Sequence, residues 1–458
     1  MSAARRHWQG RARHRVVAGC LCAVLAGCAA TPREAGPAPE AVERAAVQVT
    51  RMAPSLAGTP FGQAVAGAVQ AYPSLTAGLA RMRAAQAAID GEAGAFRPQL
   101  GFGAEAGVQL TGGSRTSRAT PLVTVTQLVY DGGGTGARTR AAEARLAQAG
   151  SDRLATASAL TLQAVEVWHE VLHRRRLLDL AGRNLELHRE FLAQTEARVN
   201  AGAASETDLL TAQSRLADAT ARRVGAQSRL ERAEAGFFEV YGRPPGAIPA
   251  PAPAPALPVD AAATLDRSPR LRGLDAALAA AQAEVEAARA GLRPSVTARL
   301  TGGTRDGRAD VGASVGLQYD VDTAGRRQAS VAAAEARAAE VIANRDALRR
   351  EIARALEVVR SDQRAGAERL RAARVARRAN EANVEAVREQ FGIGRRSIGE
   401  LLDAQRDFLS ASEALLEAEL ELALSGYAAL ALTGDIVDVF GIALPPLEGT
   451  APRAVPRQ

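Results

Sequence analysis

One stretch of this chain has the residue types and spacing of a zinc hydrolase. His169-Glu170-Val171-Leu172-His173 places two imidazoles one helical turn apart, the arrangement that holds zinc while the intervening Glu acts as general base. The surroundings argue against that chemistry. Arg174, Arg175 and Arg176 follow directly, no Gly-x-x-His extension supplies a third ligand, and the whole chain has only five His. Gly132-Gly133-Gly134 is equally poor as a phosphate cradle, because no Lys-Ser/Thr follows it, and at a junction between elements such a run serves a turn. No Ser/His/Asp or Cys/His set is evident. The residues imply no catalysis, no metal site and no cofactor.

The frame that positions these residues is written twice, at an offset of 190 to 196 residues. Pro73 and Arg97-Pro98 recur as Pro269 and Arg293-Pro294, and Thr111-Gly112-Gly113-Ser114-Arg115 returns as Thr301-Gly302-Gly303-Thr304-Arg305. Gln127 and Asp131 map to Gln318 and Asp322, Ala141 to Arg145 repeat letter for letter as Ala333 to Arg337, and Leu209-Leu210, Ala212-Gln213 and Gly242 reappear as Leu401-Leu402, Ala404-Gln405 and Gly434. Where the first copy has His169, Glu170 and His173, the second has Ser361, Asp362 and Ala365. The structural unit therefore does without the zinc-like motif, and chance on a polar helix face accounts for it.

Residues 1–27 read as a secretion signal: Arg5, Arg6, Arg11, Arg13 and Arg15 precede an apolar run, Val16 to Gly27, too short to span a bilayer. The run ends Leu25-Ala26-Gly27-Cys28, which resembles a bacterial lipobox, and Ala29 after it favours the outer membrane by the same resemblance. Cleavage before Cys28 removes Cys20 and Cys22 and leaves one thiol, able to carry lipid and unable to form an internal disulfide. It also removes five Arg and no acid, which takes the formal +7 down to about +2. A nucleic-acid partner, which needs a basic surplus, is thereby disfavoured. All 57 basic residues are Arg, a matter of genomic composition.

After a Pro/Ala/Gly/Glu tether, apolar residues at helical spacing run from Phe61 to Phe96, and Pro98 stops that helix. The period then changes from 3.6 to 2. Leu100, Phe102, Ala104, Ala106, Val108 and Leu110 alternate with Gly or polar residues, and the same holds for Val296, Ala298 and Leu300 and for Val311, Ala313, Val315, Leu317 and Tyr319. Ten-residue strands with one apolar face suit a transmembrane barrel wall and equally a half-buried soluble sheet. The secretion signal tips that balance towards the membrane. Four strands cannot close a barrel, which needs about eight, so several chains must share one. From Thr135 to Asn200 and from Ala324 to Phe391 the helical period runs almost without Pro, which predicts helices about 100 Å long. Each ends at a Gly-containing turn, Asn200-Ala201-Gly202 and Gly392-Ile393-Gly394, from which a second helix returns.

In order and in duplicate, these motifs resemble the TolC-like outer-membrane factors over residues 60–434. The marks are Arg97-Pro98-Gln99-Leu100, Leu128-Val129-Tyr130-Asp131-Gly132-Gly133, the two hairpin tips, and above all Gly394 through Ser397-Ile398 to Leu401-Leu402-Asp403-Ala404-Gln405. The resemblance implies a homotrimer: a twelve-stranded β-barrel in the outer membrane, four strands per chain, continuous with a coiled-coil-like periplasmic α-barrel. It implies docking of a periplasmic adaptor and an inner-membrane transporter at the hairpin tips, around Gly202, Thr207, Gly394 and Ser397. It also implies a periplasmic gate. Glu400 and Asp403 match an acidic constriction, Arg396 a basic latch and Asp208 a tip acid, while Phe391 stands where some members have a Tyr, so that hydroxyl and its bond to Asp208 are absent. Glu400 and Asp403, three residues apart, share a helix face. Six such carboxylates around a trimer axis would repel anions, and their crowding would raise some of their pKa values. Solvated acids near a helix N-terminus, favoured there by the macrodipole, would look the same in sequence.

The expected organisation is a signal peptide at 1–27 and a lipid-anchored tether at 28–60. A first repeat at 61–242 (strands about 99–111 and 119–130) is joined by a Pro-rich linker, 243–260, to a second at 261–434 (strands about 294–303 and 309–320). A polar tail at 435–458 ends the chain. The function this implies is an outer-membrane exit duct of a tripartite efflux pump or a type I secretion system in a Gram-negative bacterium. The rival is a periplasmic coiled-coil scaffold lipoprotein whose sheet stays soluble. The exported substrate is not written in the sequence.

Overall fold

The computed structural model describes residues 52–256 apart from 112–113, 265–305, 308–445 and 447. The signal peptide, Cys28 and the tether up to residue 51 lie outside the described residues, as do 257–264 of the linker region and the last residues of the tail.

The first helical stretch is two helices, not one. Helix α1 (Pro60–Ala71) is capped by the Thr59 hydroxyl, which accepts from the Gly62 N–H at 2.9 Å. Helix α2 (Pro73–Ala93) starts afresh, because Pro73 has no N–H to continue the ladder and holds Tyr72 in an extended conformation (φ −72°, ψ 131°).

Strands β1 (Gln99–Thr111), β2 (Ser114–Tyr130), β3 (Ser295–Arg305) and β4 (Arg308–Gln318) form one antiparallel sheet in the order β1-β2-β3-β4. Strand β2 starts at Ser114 and not near 119, because its first residues pair with the end of β1, Thr111 opposite Ser114. The two repeats meet at the centre of the sheet, where β2 pairs with β3 and a register shift falls between Leu128 and Tyr130.

Each hairpin feeds one long helix, α3 (Gly134–Asn200) and, after helix α5 (Pro269–Ala290) and its strands, α6 (Arg326–Gly392); both are 67 residues, about 100 Å. An Asp caps each start. Asp131 accepts from the N–H of Gly133 (3.2 Å) and Thr135 (2.5 Å), and Asp322 from those of Arg327 and Gln328 (3.0 Å each). Gly132, at φ +70°, has the Arg293 side chain so close that any Cβ would lie 2.7 Å from it, so only Gly fits this junction. Helices α4 (Glu206–Tyr241) and α7 (Ile398–Thr433) return from the tips. Along α4 the buried Ala212, Ala219 and Ala226 recur every seven residues, the heptad that lets helices lie close along their length.

The few aromatic residues are concentrated at mid-height. Trp168 of α3 meets Phe61 (ring centroids 5.3 Å apart), Phe237 (5.8 Å) and Tyr241 (5.6 Å), and Phe61 also meets Tyr427 and Phe440. The Pro-rich segment is strapped over this core: Pro249 O accepts from Trp168 Nε1 at 3.2 Å, and Ala252 O from the Tyr427 hydroxyl. It thereby holds α3 of one repeat to α7 of the other.

The segment after 434 departs from the expected polar tail. Residues Asp435–Val439 form a short helix, α8, and Ile436, Val437, Val439, Phe440 and Ile442 are buried in the same core. Five apolar side chains in eight residues bury more favourably than they hydrate. Asp435, buried among them, pairs with Arg267; burial raises its carboxyl pKa, and Thr433 and Arg267 oppose that rise. The end of the tether packs here too, the Leu56 N–H donating to Val439 O at 3.0 Å.

Candidate functional site: the membrane wall and the periplasmic tips

Among the described residues no helix is long and apolar enough to cross a membrane. The sheet is the element whose surface suits lipid. Its register puts Leu100 and Phe102 opposite Val125 and Val123, these opposite Leu300 and Gly302, and those in turn opposite Ala313 and Val311. One face is therefore largely apolar across all four strands, with Gln127, opposite Ala298, a polar exception. It is also exposed, Phe102 by 79% and Val315 by 75%. The other face carries Gly101, Gly103, Glu105, Thr124, Thr126, Arg299 and Ser314. Among the described residues, the outer edges of β1 and β4 have no strand partner. In hydrocarbon an open edge is not tolerated, so the barrel must be completed by further copies.

At the opposite end the two tips are built alike. Gly202 (φ +71°) and Gly394 (φ +76°) turn the chain, and Ser205 and Ser397 start the returning helices with capping boxes. The Asp208 N–H donates to Ser205 Oγ (3.2 Å) while the Ser205 N–H donates to Asp208 Oδ2 (3.0 Å); Glu400 and Ser397 make the same pair at 3.2 and 2.8 Å. Asp208 and Glu400 are thus the same capping residue in the two repeats. Gly202, Thr207, Gly394 and Ser397 are all exposed at these tips.

The structure brings some of the sequence-picked gate residues together and not others. Arg396 engages Glu400 and also donates to Gln390 Oε1 at 3.0 Å, both on its own hairpin. Asp403 pairs with Arg406 at 3.1 Å. In the single chain the Glu400 pKa is lowered: the Ser397 backbone N–H is the main cause, followed by hydrogen bonds from Arg396 and the Ser397 hydroxyl. Asp208 is held low in the same way, first by the Ser205 N–H, with a minor contribution from Arg198.

Sequence reasoning missed Arg198. In the last turn of α3, its guanidinium lies 4.7 Å from the centre of the Phe391 ring on α6, tying the first hairpin to the second where Phe391 lacks a hydroxyl. Phe391 in turn packs on a small apolar cluster containing Phe191, Val387, Leu401 and Leu402, to which both hairpins contribute. The only signal in the sequence was a basic residue in the last turn of a helix, too common to single out.

The zinc-like motif is taken up by packing. His169 Nδ1 lies 2.9 Å from Val165 O with its ring against Phe61 and Tyr427, and Glu170 pairs with Arg174. His173 Nε2 lies 3.3 Å from Glu417 of α7. Burial lowers the pKa of both imidazoles; for His173, Glu417 opposes that. Arg175 donates to Pro245 O and Gly246 O (2.8 Å each), which fixes the Pro-rich strap, and Arg176 reaches Glu419. No three of His, Cys, Asp and Glu converge among the described residues.

An apolar four-stranded wall continuous with two helices of about 100 Å, each folded back at its tip into a shorter returning helix, defines a subunit of an outer-membrane channel. The family model for outer membrane efflux proteins matches residues 66–243 and 261–434, one match per repeat, and the chain belongs to that family. It is similar to the outer membrane efflux protein BepC of Brucella suis, with 26% identity over 355 residues, 74% of this chain and 77% of that one. Protein CyaE of Bordetella pertussis is 28% identical over 248 residues, half of this chain and 51% of the relative. Among solved structures, the open-state MtrE outer membrane channel of Neisseria gonorrhoeae superposes with a TM-score of 0.73 at 18% identity, over 92% of this chain and 100% of the other. The chain is therefore an outer-membrane efflux channel of a Gram-negative bacterium and not an enzyme, and channels of its family are trimeric.

Proposed function

We propose that three copies form one twelve-stranded barrel and act as a passive exit duct, receiving substrate from a periplasmic adaptor and an inner-membrane transporter, either a proton-driven pump or an ABC exporter. The observation that carries this reading is the sheet: one largely apolar face across four strands, a largely polar and Gly-rich opposite face, and two edges that no strand among the described residues pairs. A soluble scaffold lipoprotein would leave Phe102, Val311, Val315 and Leu317 in water, which disfavours that alternative. The adaptor would dock at the exposed tips around Gly202, Thr207, Gly394 and Ser397. Purified protein added to planar bilayers is expected to give stepwise conductance, with native mass spectrometry giving three chains; a stable, non-conducting monomer would overturn the reading.

We also propose that Cys28 carries lipid and anchors the N-terminus in the periplasmic leaflet of the outer membrane. Geometry supports it. The tether joins the folded body at Leu56, whose N–H donates to Val439 O in the core that also holds Trp168 of α3. The chain from Cys28 to Pro54 can span roughly 85 Å when extended, a length that allows an anchor distant from Leu56. Intact mass of the mature protein is expected to show acylation at Cys28; an unmodified Cys28 or another mature start would refute the anchor and leave the channel reading untouched.

A further inference from the structure

The polar face of the sheet carries a positive charge that no acid beside it balances. Arg299 of β3 stands on that face, opposite Thr126 of β2 on one side and Ser314 of β4 on the other. Its diagonal neighbours are Thr124, Leu128, Gly312 and Gly316, and none is a carboxylate. Arg299 is exposed, and among the described residues no hydrogen bond or ion pair holds it. An Arg in a membrane-spanning strand is costly on the lipid side and hydrated on the lumen side, so its place on the polar face suits a water-filled interior.

The acids on the same face lie too far along the strands to neutralise it. Asp310, opposite Gly303, is four residues along β4 from Ser314, about 13 Å. Glu105, opposite Thr120, is six residues from the level of Thr126, about 20 Å. Both separations exceed the screening length of about 8 Å at physiological ionic strength. At the end of the sheet nearer the helices, Asp320 is engaged by Arg327, while Asp131 and Asp322 cap α3 and α6. Towards the other end the register places more arginines on this face, Arg118 opposite Gly107 and Arg305 opposite Arg308. The strand positions of the polar face therefore hold four Arg against Glu105 and Asp310.

We propose that Arg299 of each copy contributes to a basic ring inside the barrel, which makes the membrane section of the duct favour anions, so that the solutes it accepts best bear carboxylate or phosphate groups. This rests on the channel reading above and names its substrate class. Rings of Arg or Lys select anions in pores as rings of Asp or Glu select cations. Three copies bring three Arg299 to one level, and the low-dielectric wall around the water column concentrates their field. The sign is opposite to that of Glu400 and Asp403 at the far end of the duct, so a channel carrying both passes current unequally in the two directions.

The test is planar-bilayer recording of the full-length protein in about 0.1 M salt, where the screening length is about 10 Å. Arg299→Ser, which matches its neighbour Ser314, is expected to lower the permeability ratio of chloride to potassium by about two-fold or more, the effect of removing one unit charge a few ångströms from the ion path even in water. Arg299→Lys is expected to keep the ratio. Inorganic tripolyphosphate in both compartments is expected to block the wild type and the Lys variant, and to block the Ser variant far less. Should Arg299→Ser fail to insert, Arg299→Gln makes the same comparison. A neutral variant that conducts with the ratio and the block unchanged would overturn the basic ring and leave the channel standing. A Lys variant that behaves like the neutral one would overturn it too, since charge would not be the cause. Wild-type protein that does not conduct at all would overturn both.

Discussion

Replacing Trp168 by Ala is expected to cost about 3–5 kcal/mol, the usual range for removing a large aromatic from a packed core. Trp168 is almost fully buried, touches the rings of Phe61, Phe237 and Tyr241, and donates to Pro249 O. The cavity would sit where both repeats, the Pro-rich strap and the segment after 434 converge, so one substitution loosens all four. Trp168→Phe keeps most of the volume and loses the hydrogen bond, which should cost about 1 kcal/mol. Thermal denaturation of the detergent-solubilised trimer is expected to rank wild type above Trp168→Phe and both well above Trp168→Ala. An Ala variant that melts with the wild type would show that the mid-height cluster does not hold the hairpins together.

The largest expected functional effect lies at the tips. We propose that the resting channel is closed there, with Glu400 and Asp403 around the axis and Arg198 holding Phe391. Arg198→Ala releases the contact that ties α3 to α6, and is expected to raise resting conductance in planar-bilayer recordings without changing the number of chains. Replacing Glu400 and Asp403 together by Ala is expected to reduce the preference for cations. Arg396→Ala should strengthen that preference, since Arg396 neutralises Glu400 within the same hairpin. Unchanged selectivity in the double variant would place both acids outside the pore and leave them as helix-capping and surface residues. The same site sets a pH dependence. The folded-state pKa of Glu400 is lowered, so its cap is fully present above the ordinary carboxylate value of about 4.3 and is lost as pH falls through the lower folded-state value. Asp208 behaves alike. Both tips should therefore loosen only in strong acid, with neutral pH leaving them intact.

Much of this architecture was legible in the sequence because it is local. Periods of 2 and 3.6 report which side of a strand or helix faces an apolar environment, and they do so over a few residues. The duplication supplied each reading twice: Asp131 and Asp322 cap equivalent helices, and Asp208 and Glu400 close equivalent tips. Pro73 was also a local signal. The break it causes follows from its missing N–H, although its apolar flanks continue the helical spacing across it.

Other features rest on contacts between residues far apart in the chain, and no local period reports those. The pairing of β2 with β3, across 165 residues, puts the two repeats side by side in one sheet. Burial of residues 436–442 depends on Phe61 and Trp168, which lie hundreds of residues earlier, so a stretch next to a Pro-rich terminus reads as a tail until its partners are in place. The cation–π contact of Arg198 with Phe391 is of the same kind, two ordinary residues 193 positions apart. Sequence by itself determined the elements, their duplication and their amphipathic faces, because these follow from short-range backbone and side-chain geometry. The tertiary structure alone decided which faces find a partner within the chain and which, on the sheet and on the outer sides of α4 and α6, stay exposed among the described residues.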